Sequence, residues 1–243
     1  MIARAAREIR DGEVVFVGMR LPLLAFLLAK STHAPAAIGL FENGVLRDSP
    51  ASAPIMTMSD PPNVLGARMC MGMETVMGLL QSGRVQLGFI GGAEVDRFGN
   101  LNTTRVVDEG RTLRLPGSGG ACDIASLSHR LVAVMKHERR RFVERVGYIT
   151  SAGYGEGGQW RREQGLVRGG PSAVITDKAV LTFHGETREM QLSSVHPGVT
   201  VEEVLELTGW PLAVAPEVGV TAPPTEEDLA AIRRFDPAGF WSR

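Results

Sequence analysis

The sequence predicts an α/β protein built on an open, mostly parallel sheet flanked by helices, with a peripheral β region. Three observations carry that expectation. A short β-branched run at 14–17 is followed by a helical stretch opening at Pro22 and then by a second apolar run at 37–41. Strand, helix and strand at this spacing form a parallel crossover. Another apolar run at 85–90 ends in Gly91-Gly92, and three β-rich segments at 173–176, 179–183 and 190–195 follow later in the chain. These read as a peripheral β region.

Each element has its own local reason. Residues 2–10 read as a helix stopped by Asp11-Gly12, and 14–17 as a buried strand closed by Gly18. Residues 22–31 form a helix whose proline sits in the first turn, where its missing N–H is not needed. His33-Ala34-Pro35 breaks that helix, and the strand at 37–41 then carries Glu42 to its carboxyl end, directly before Asn43-Gly44. The Pro-, Ser- and Asp-rich stretch 48–63 reads as a surface loop. Residues 65–82 read as a helix whose Met69, Met71, Met73 and Met77 form a packed face or a contact with a neighbouring subunit. Gly83 stops it. Residues 131–135 are another strand, and 201–208 and 226–234 are amphipathic helices joined by the Pro-rich segment 215–224. A chain of 243 residues is long enough for one substantial core, so 1–243 is expected to form a single domain.

Composition removes several classes of function. A formal net charge of −1 gives no reason to expect a nucleic-acid or membrane-surface partner. No run of apolar residues is long enough to span a bilayer, and the charged N-terminus has no signal-peptide core, so a cytoplasmic location is expected. Cys70 and Cys122 offer no disulfide framework. The histidines show no metal-ligand spacing, and no metal is expected.

Three segments carry chemistry. Ile38-Gly39-Leu40-Phe41-Glu42-Asn43-Gly44 places one carboxylate at the mouth of a strand. Ala93-Glu94-Val95-Asp96 lies in the second, which runs from Phe89 to Thr104. Pro116-Gly117-Ser118-Gly119-Gly120-Ala121-Cys122-Asp123 is a glycine-rich turn. In this order, and with further similarity around Met135–Phe142, Val174–Lys178 and Glu203–Gly209, the chain resembles the β subunits of family I CoA-transferases, most of all the glutaconate CoA-transferase type. That resemblance implies a CoA-transferase-like fold with Rossmann-like layering.

It also implies transfer of CoA from an acyl-CoA to a short-chain or dicarboxylic acid through a glutamyl-CoA thioester on Glu42. Such covalent catalysis needs no permanently bound cofactor, the coenzyme A thioester being the substrate. A separate α subunit is implied, in αβ pairs assembled as α2β2 or larger. Gly119, Gly120 and Ala121 match the oxyanion loop, where backbone N–H groups approach a developing charge unhindered by a Cβ. Asn43, Gly44, Glu94, Arg111 and Arg114 are candidates for the substrate pocket. The two arginines would meet a substrate carboxylate or a CoA phosphate, or else lie on the surface or a subunit interface. The family commonly has Gln at the place of Glu94 and Ser at the place of Phe41. Asp96 with Gly99-Asn100 reads as a turn organiser, Cys122 as a packing residue and 139–141 as a solvated or interface face. Two other readings remain: an acyl-CoA decarboxylase or hydrolase subunit on the same fold, and a non-catalytic scaffold subunit.

Overall fold

The computed structural model describes residues 1–108, 110–166 and 168–242, and its backbone gathers into two units, Met1–Phe89 with Pro223–Arg243 and Ile90–Ala222. The first contains α1 (Ile2–Ala6), β1 (Val14–Phe16), α2 (Leu21–Ser31), β2 (Ile38–Leu40), β3 (Val45–Arg47), α3 (Pro61–Val64), β4 (Met69–Cys70), α4 (Met73–Gln81) and β5 (Leu87–Ile90), whose last residue opens the second unit. Its strands lie in the order β5-β1-β2-β3-β4. β1 runs parallel to both β2 and β5, while β3 and β4 add antiparallel strands at the margin. Helix α2 is apolar on every side and buried from Pro22 to Lys30. The ammonium of Lys30 escapes isolation by donating to the carbonyls of Pro35 and Ala37.

The second unit contains β6 (Glu94–Val95), β7 (Leu101–Asn102), β8 (Arg105–Asp108), β9 (Arg111–Arg114), α5 (Ala121–Leu127), β10 (Arg130–Val134), α6 (Trp160–Glu163), β11 (Pro171–Ile175), β12 (Ala179–Phe183), β13 (Met190–Val195), α7 (Val201–Glu206) and β14 (Ala213–Val220). Five of its strands run in the order β14-β13-β12-β11-β10. β10 pairs in parallel with β11, and β13 with β14, around the antiparallel β11–β12–β13 meander. β6–β7 and β8–β9 are separate two-stranded ribbons. The chain then returns to the first unit as α8 (Glu226–Phe235), opened by a capping box between Thr225 and Asp228. Arg7 fastens it by donating to Pro223 O and Asp228 Oδ2.

Two expectations need correction. The helix expected over 65–82 covers only 73–81, because Met69–Cys70 pair with Val45–Leu46 as an edge strand and Gly72 caps the helix that follows. The Pro-rich joint expected at 215–224 is largely strand β14, pairing with Gln191–Leu192 and Ser194–Val195 across a register shift. β14 ends its strand order, and Pro216 is tolerated there because an edge strand can spare one donor. Among the described residues no helix is long and apolar enough to cross a membrane.

Candidate functional site

Glu42 owes its position to three fastenings of one turn. Phe16 stands opposite Leu40, and Val17 N–H donates to Leu40 C=O at 2.9 Å, so β1 and β2 finish side by side. Phe41 is fully buried and meets the Phe26 ring edge-on, 6.4 Å between centroids. Phe41 N–H donates to Val45 C=O at 2.8 Å and Gly44 N–H to Phe41 C=O at 3.0 Å, closing a four-residue turn with Glu42 and Asn43 at its corners. Gly44 has φ +99, which glycine alone holds without strain. A Cβ there would also run into the Met71 carbonyl oxygen, which stays close because Met71 N–H donates to Gly44 C=O at 2.9 Å. Glu42 is half-buried and Asn43 exposed.

The loop after β3 folds back onto this turn. Asn43 Nδ2 donates to Met58 C=O at 2.8 Å and to Ser59 Oγ at 3.4 Å. Asp60 gathers the tip by accepting from Met56 N–H, Thr57 N–H and Thr57 Oγ1. Arg47, 2% exposed, holds the loop's base. Its guanidinium donates to the carbonyls of Ser49, Pro50, Pro62, Asn63 and Leu65 at 2.6–3.2 Å. Only a planar fork with five N–H groups reaches so many acceptors. Burial lowers its pKa below the usual arginine value, with Asp48 opposing. Arg47 is not among the residues that the sequence singles out. Its one signal is a cation ending a strand just before a proline-rich loop.

In the second unit, Glu94 lies directly across β6–β7 from Asn102. It is buried, and its Oε2 accepts from Asn102 Nδ2 at 2.7 Å. Asn102, wholly buried, also donates to Arg105 C=O at 2.7 Å, and its Oδ1 accepts from Thr104 and Arg105 N–H. The turn so fixed carries the glycine loop. Gly117 N–H donates to Thr103 C=O, and Thr103 Oγ1 to Gly117 C=O, both at 2.8 Å. Thr150 braces the same point by accepting from Thr103 N–H at 2.9 Å. Gly117 and Gly119 have φ of +95 and +49. Ala121 N–H donates to Ser118 C=O at 2.9 Å, closing the turn into α5. Glu94 is thus joined to the glycine loop through Asn102 and Thr103, a link invisible in the sequence.

Arg111 and Arg114 lie exposed along β9, opposite Asp108 and Arg105 of β8. Asp96 organises a buried turn, accepting from Phe98 N–H, Asn100 N–H and Asn100 Nδ2. Burial raises its pKa and these bonds lower it, burial prevailing. The 139–141 run lies at the surface, Arg139 and Arg140 exposed and Arg141 half-buried, as expected of a solvated or interface face. Arg139 donates to the Glu206 and Thr208 carbonyls, and Arg140 and Arg141 to Glu138. Met69 and Met73 are exposed, which suits the contact alternative for the methionine stretch better than the packed face. Among the described residues no cluster of three His, Cys, Asp or Glu could hold a metal ion.

Known proteins resemble this chain over most of its length. A family model described as coenzyme A transferase matches residues 1–207. The β subunit of 3-oxoadipate CoA-transferase from Pseudomonas knackmussii is 39% identical over 237 residues, 97% of this chain and 91% of that protein. The β subunit of glutaconate CoA-transferase from Acidaminococcus fermentans is 36% identical over 225 residues, 90% of this chain and 84% of that one. The crystal structure of that bacterium's glutaconate CoA-transferase covers 100% of this chain and 95% of its own, with TM-score 0.92 and 31% identity. The decarboxylase AibA/AibB matches 99% of this chain and 95% of its own, with TM-score 0.85 and 26% identity. Fold, sequence and order of segments agree: the chain belongs to the coenzyme A transferase family and is a β subunit of the family I type.

Proposed function

We propose that this chain moves CoA from a short-chain or dicarboxylic acyl-CoA to an acceptor carboxylic acid, working as a single β-subunit domain in the cytoplasm with a separate α subunit. The observation that carries this reading is the half-buried Glu42 on a turn held at Phe41, Asn43 and Gly44, at the carboxyl end of a parallel strand, where α/β sheets place their ligands. The names of the relatives, which act on 3-oxoadipate and glutaconate, favour a dicarboxylic substrate.

The Glu42 carboxylate attacks the thioester carbonyl, and the C–S bond breaks to give a mixed anhydride and CoA thiolate. The thiolate attacks the Glu42 carbonyl, forming the glutamyl-CoA thioester and releasing the first acid as its carboxylate. The acceptor carboxylate attacks that thioester, giving a second anhydride and free thiolate. Attack of the thiolate on the acceptor carbonyl then yields the new acyl-CoA and restores Glu42. Each addition places negative charge on an oxygen, which the backbone N–H groups of Gly119, Gly120 and Ala121 are proposed to meet. In that role Ala121 N–H shares its bond to Ser118. Asn43, Gly44 and Glu94 act by holding these two loops, and Arg111 and Arg114 remain candidates for an anionic group of the substrate.

Borohydride trapping tests the reading. Incubating the αβ complex with acyl-CoAs and reducing with borohydride should convert the Glu42 side chain to an alcohol, located by peptide mass, and Glu42→Ala should abolish both adduct and turnover. Consumption of acyl-CoA with no adduct on Glu42 would sink the transferase mechanism and favour the chemistry of the decarboxylase relative.

A further inference from the structure

We propose that Arg20 is a specificity-determining residue that binds a negatively charged group of the substrate. Arg20 links β1 to α2 with φ +67 and ψ −123, a conformation that costs any side-chain-bearing residue and that glycine adopts freely. Among the described residues only Arg188 shares a positive φ without being glycine. A strained backbone bearing a long cation implies that the side chain is what the position retains.

Placement supplies a reason. β1 and β2 are parallel with Phe16 opposite Leu40, so the segment reaching Arg20 and the turn carrying Glu42 leave adjacent strands at the same end. The guanidinium is exposed and lies over the Trp241 indole, 5.3 Å from its centroid. Trp241 is itself fastened: its backbone N–H donates to Asp236 Oδ2 at 3.0 Å and its Nε1–H to Ile55 C=O at 3.5 Å. Ile55 belongs to the loop that folds back onto Asn43. The cation–π contact holds the guanidinium beside the indole, and a guanidinium so held presents paired N–H groups that can grip an oxyanion bidentately. No carboxylate pairs with Arg20 among the described residues. The ligand is therefore an oxyanion: the distal carboxylate of a dicarboxylic acyl group, or a phosphate of CoA.

This inference rests on the proposed transferase reading, so the experiment reads binding as well as turnover. In the αβ complex, wild type, Arg20→Gly and Arg20→Lys are compared with glutaryl-CoA, with pentanoyl-CoA of equal chain length, and with the dephospho form of each. Glutarate and CoA binding is measured by calorimetry. Arg20→Gly should raise KM for glutaryl-CoA and Kd for glutarate at least about tenfold, the scale of lost charge-assisted hydrogen bonds. KM for pentanoyl-CoA should move far less, and Arg20→Lys should fall between. The Tm of Arg20→Gly should rise by about 2–6 °C as the strain goes. Equal KM increases for both acyl-CoAs that vanish with the dephospho forms would assign the anion to CoA. Unchanged binding of every ligand would overturn the proposal, and a lowered Tm beside it would leave Arg20 only a structural cation–π partner of Trp241. Absence of a Glu42 adduct in wild type would instead count against the transferase reading, with calorimetry still judging Arg20.

Discussion

His137 makes the second unit sensitive to acid in a calculable way. It is 2% exposed and lies flat on Phe142, with centroids 3.9 Å apart and planes at 4°, while Phe142 stacks in turn on Trp210. Thr208 Oγ1 donates to Val204 C=O, so the His137 Nε2 contact to it at 3.1 Å needs the proton on Nε2. Thr176 Oγ1, 3.3 Å from Nδ1, already donates to Ala179 C=O and accepts from two N–H groups. A proton added at Nδ1 therefore meets no open acceptor. Burial accordingly lowers the histidine pKa from 6.5 to about 4, against the attraction of Asp177 and with help from Lys178.

The sign follows from linkage. Below pH 6.5 the unfolded chain takes up a proton that the folded chain refuses, so stability present above 6.5 is lost as pH falls towards 4. At about 1.4 kcal/mol per unit, the full loss is about 3 kcal/mol, of which about 1.4 is gone by pH 5.5. Urea denaturation at pH 8, 6.5, 5.5 and 4.5 measures it, with His137→Gln as the reference. That variant keeps a donor for Thr208 and removes the titration, so the two curves should converge as pH falls. Parallel curves from pH 6.5 to 4.5 would refute the reasoning. The stack also bears on the site: Val95 N–H donates to Arg141 C=O at 2.7 Å and Val143 N–H to Val95 C=O at 3.0 Å, so the strand carrying Glu94 is zipped to the segment that Phe142 anchors.

Two further substitutions probe the loops. Arg47→Met should leave five loop carbonyls without their donor and cost about 2–4 kcal/mol in urea denaturation. It should also slow adduct formation on Glu42, and Arg47→Lys should recover little, since one ammonium cannot span those acceptors. Glu94→Gln keeps an oxygen for Asn102 Nδ2 and should change stability and thioester formation little. Glu94→Ala removes it and should cost about 1–3 kcal/mol, with single-turnover loading of Glu42 slowed about tenfold; equal behaviour of the two variants would count against a bracing role.

How much was legible depended on how local the cause was. Helix α2 and strands β1 and β2 announced themselves because Pro22, Gly18 and the apolar runs act within a few residues, and the Glu42 turn because Asn43-Gly44 follows a buried strand. β4 did not, since its two residues become a strand only by pairing with Val45 and Leu46, more than twenty positions away. β6 and β7 are two residues each, too short for any period to show. Arg47 ends a strand, where a sequence reading expects it to face water. Only the closure of residues 48–66 buries it. The strain at Arg20 is equally silent, because the sequence there holds no glycine to mark a positive φ.

What the legible and hidden parts share is a demand of the proposed chemistry. Glu42 acts first as nucleophile, then as electrophile, then returns through the same states, so one carboxyl group must meet thiolate and carboxylate alike from a fixed place. Little general acid–base assistance is needed when attackers and leaving groups are already anions. Position therefore matters more than proton affinity, and small displacements of a reacting group are costly. That accounts for a nucleophile seated on a short turn and fastened in three directions: Phe41 against Phe26, Gly44 against Met71, and Asn43 against Met58. A loosened fastening should thus lower the rate of adduct formation more than it lowers affinity for acyl-CoA, the split expected when the carboxylate is misplaced and the binding surface is intact.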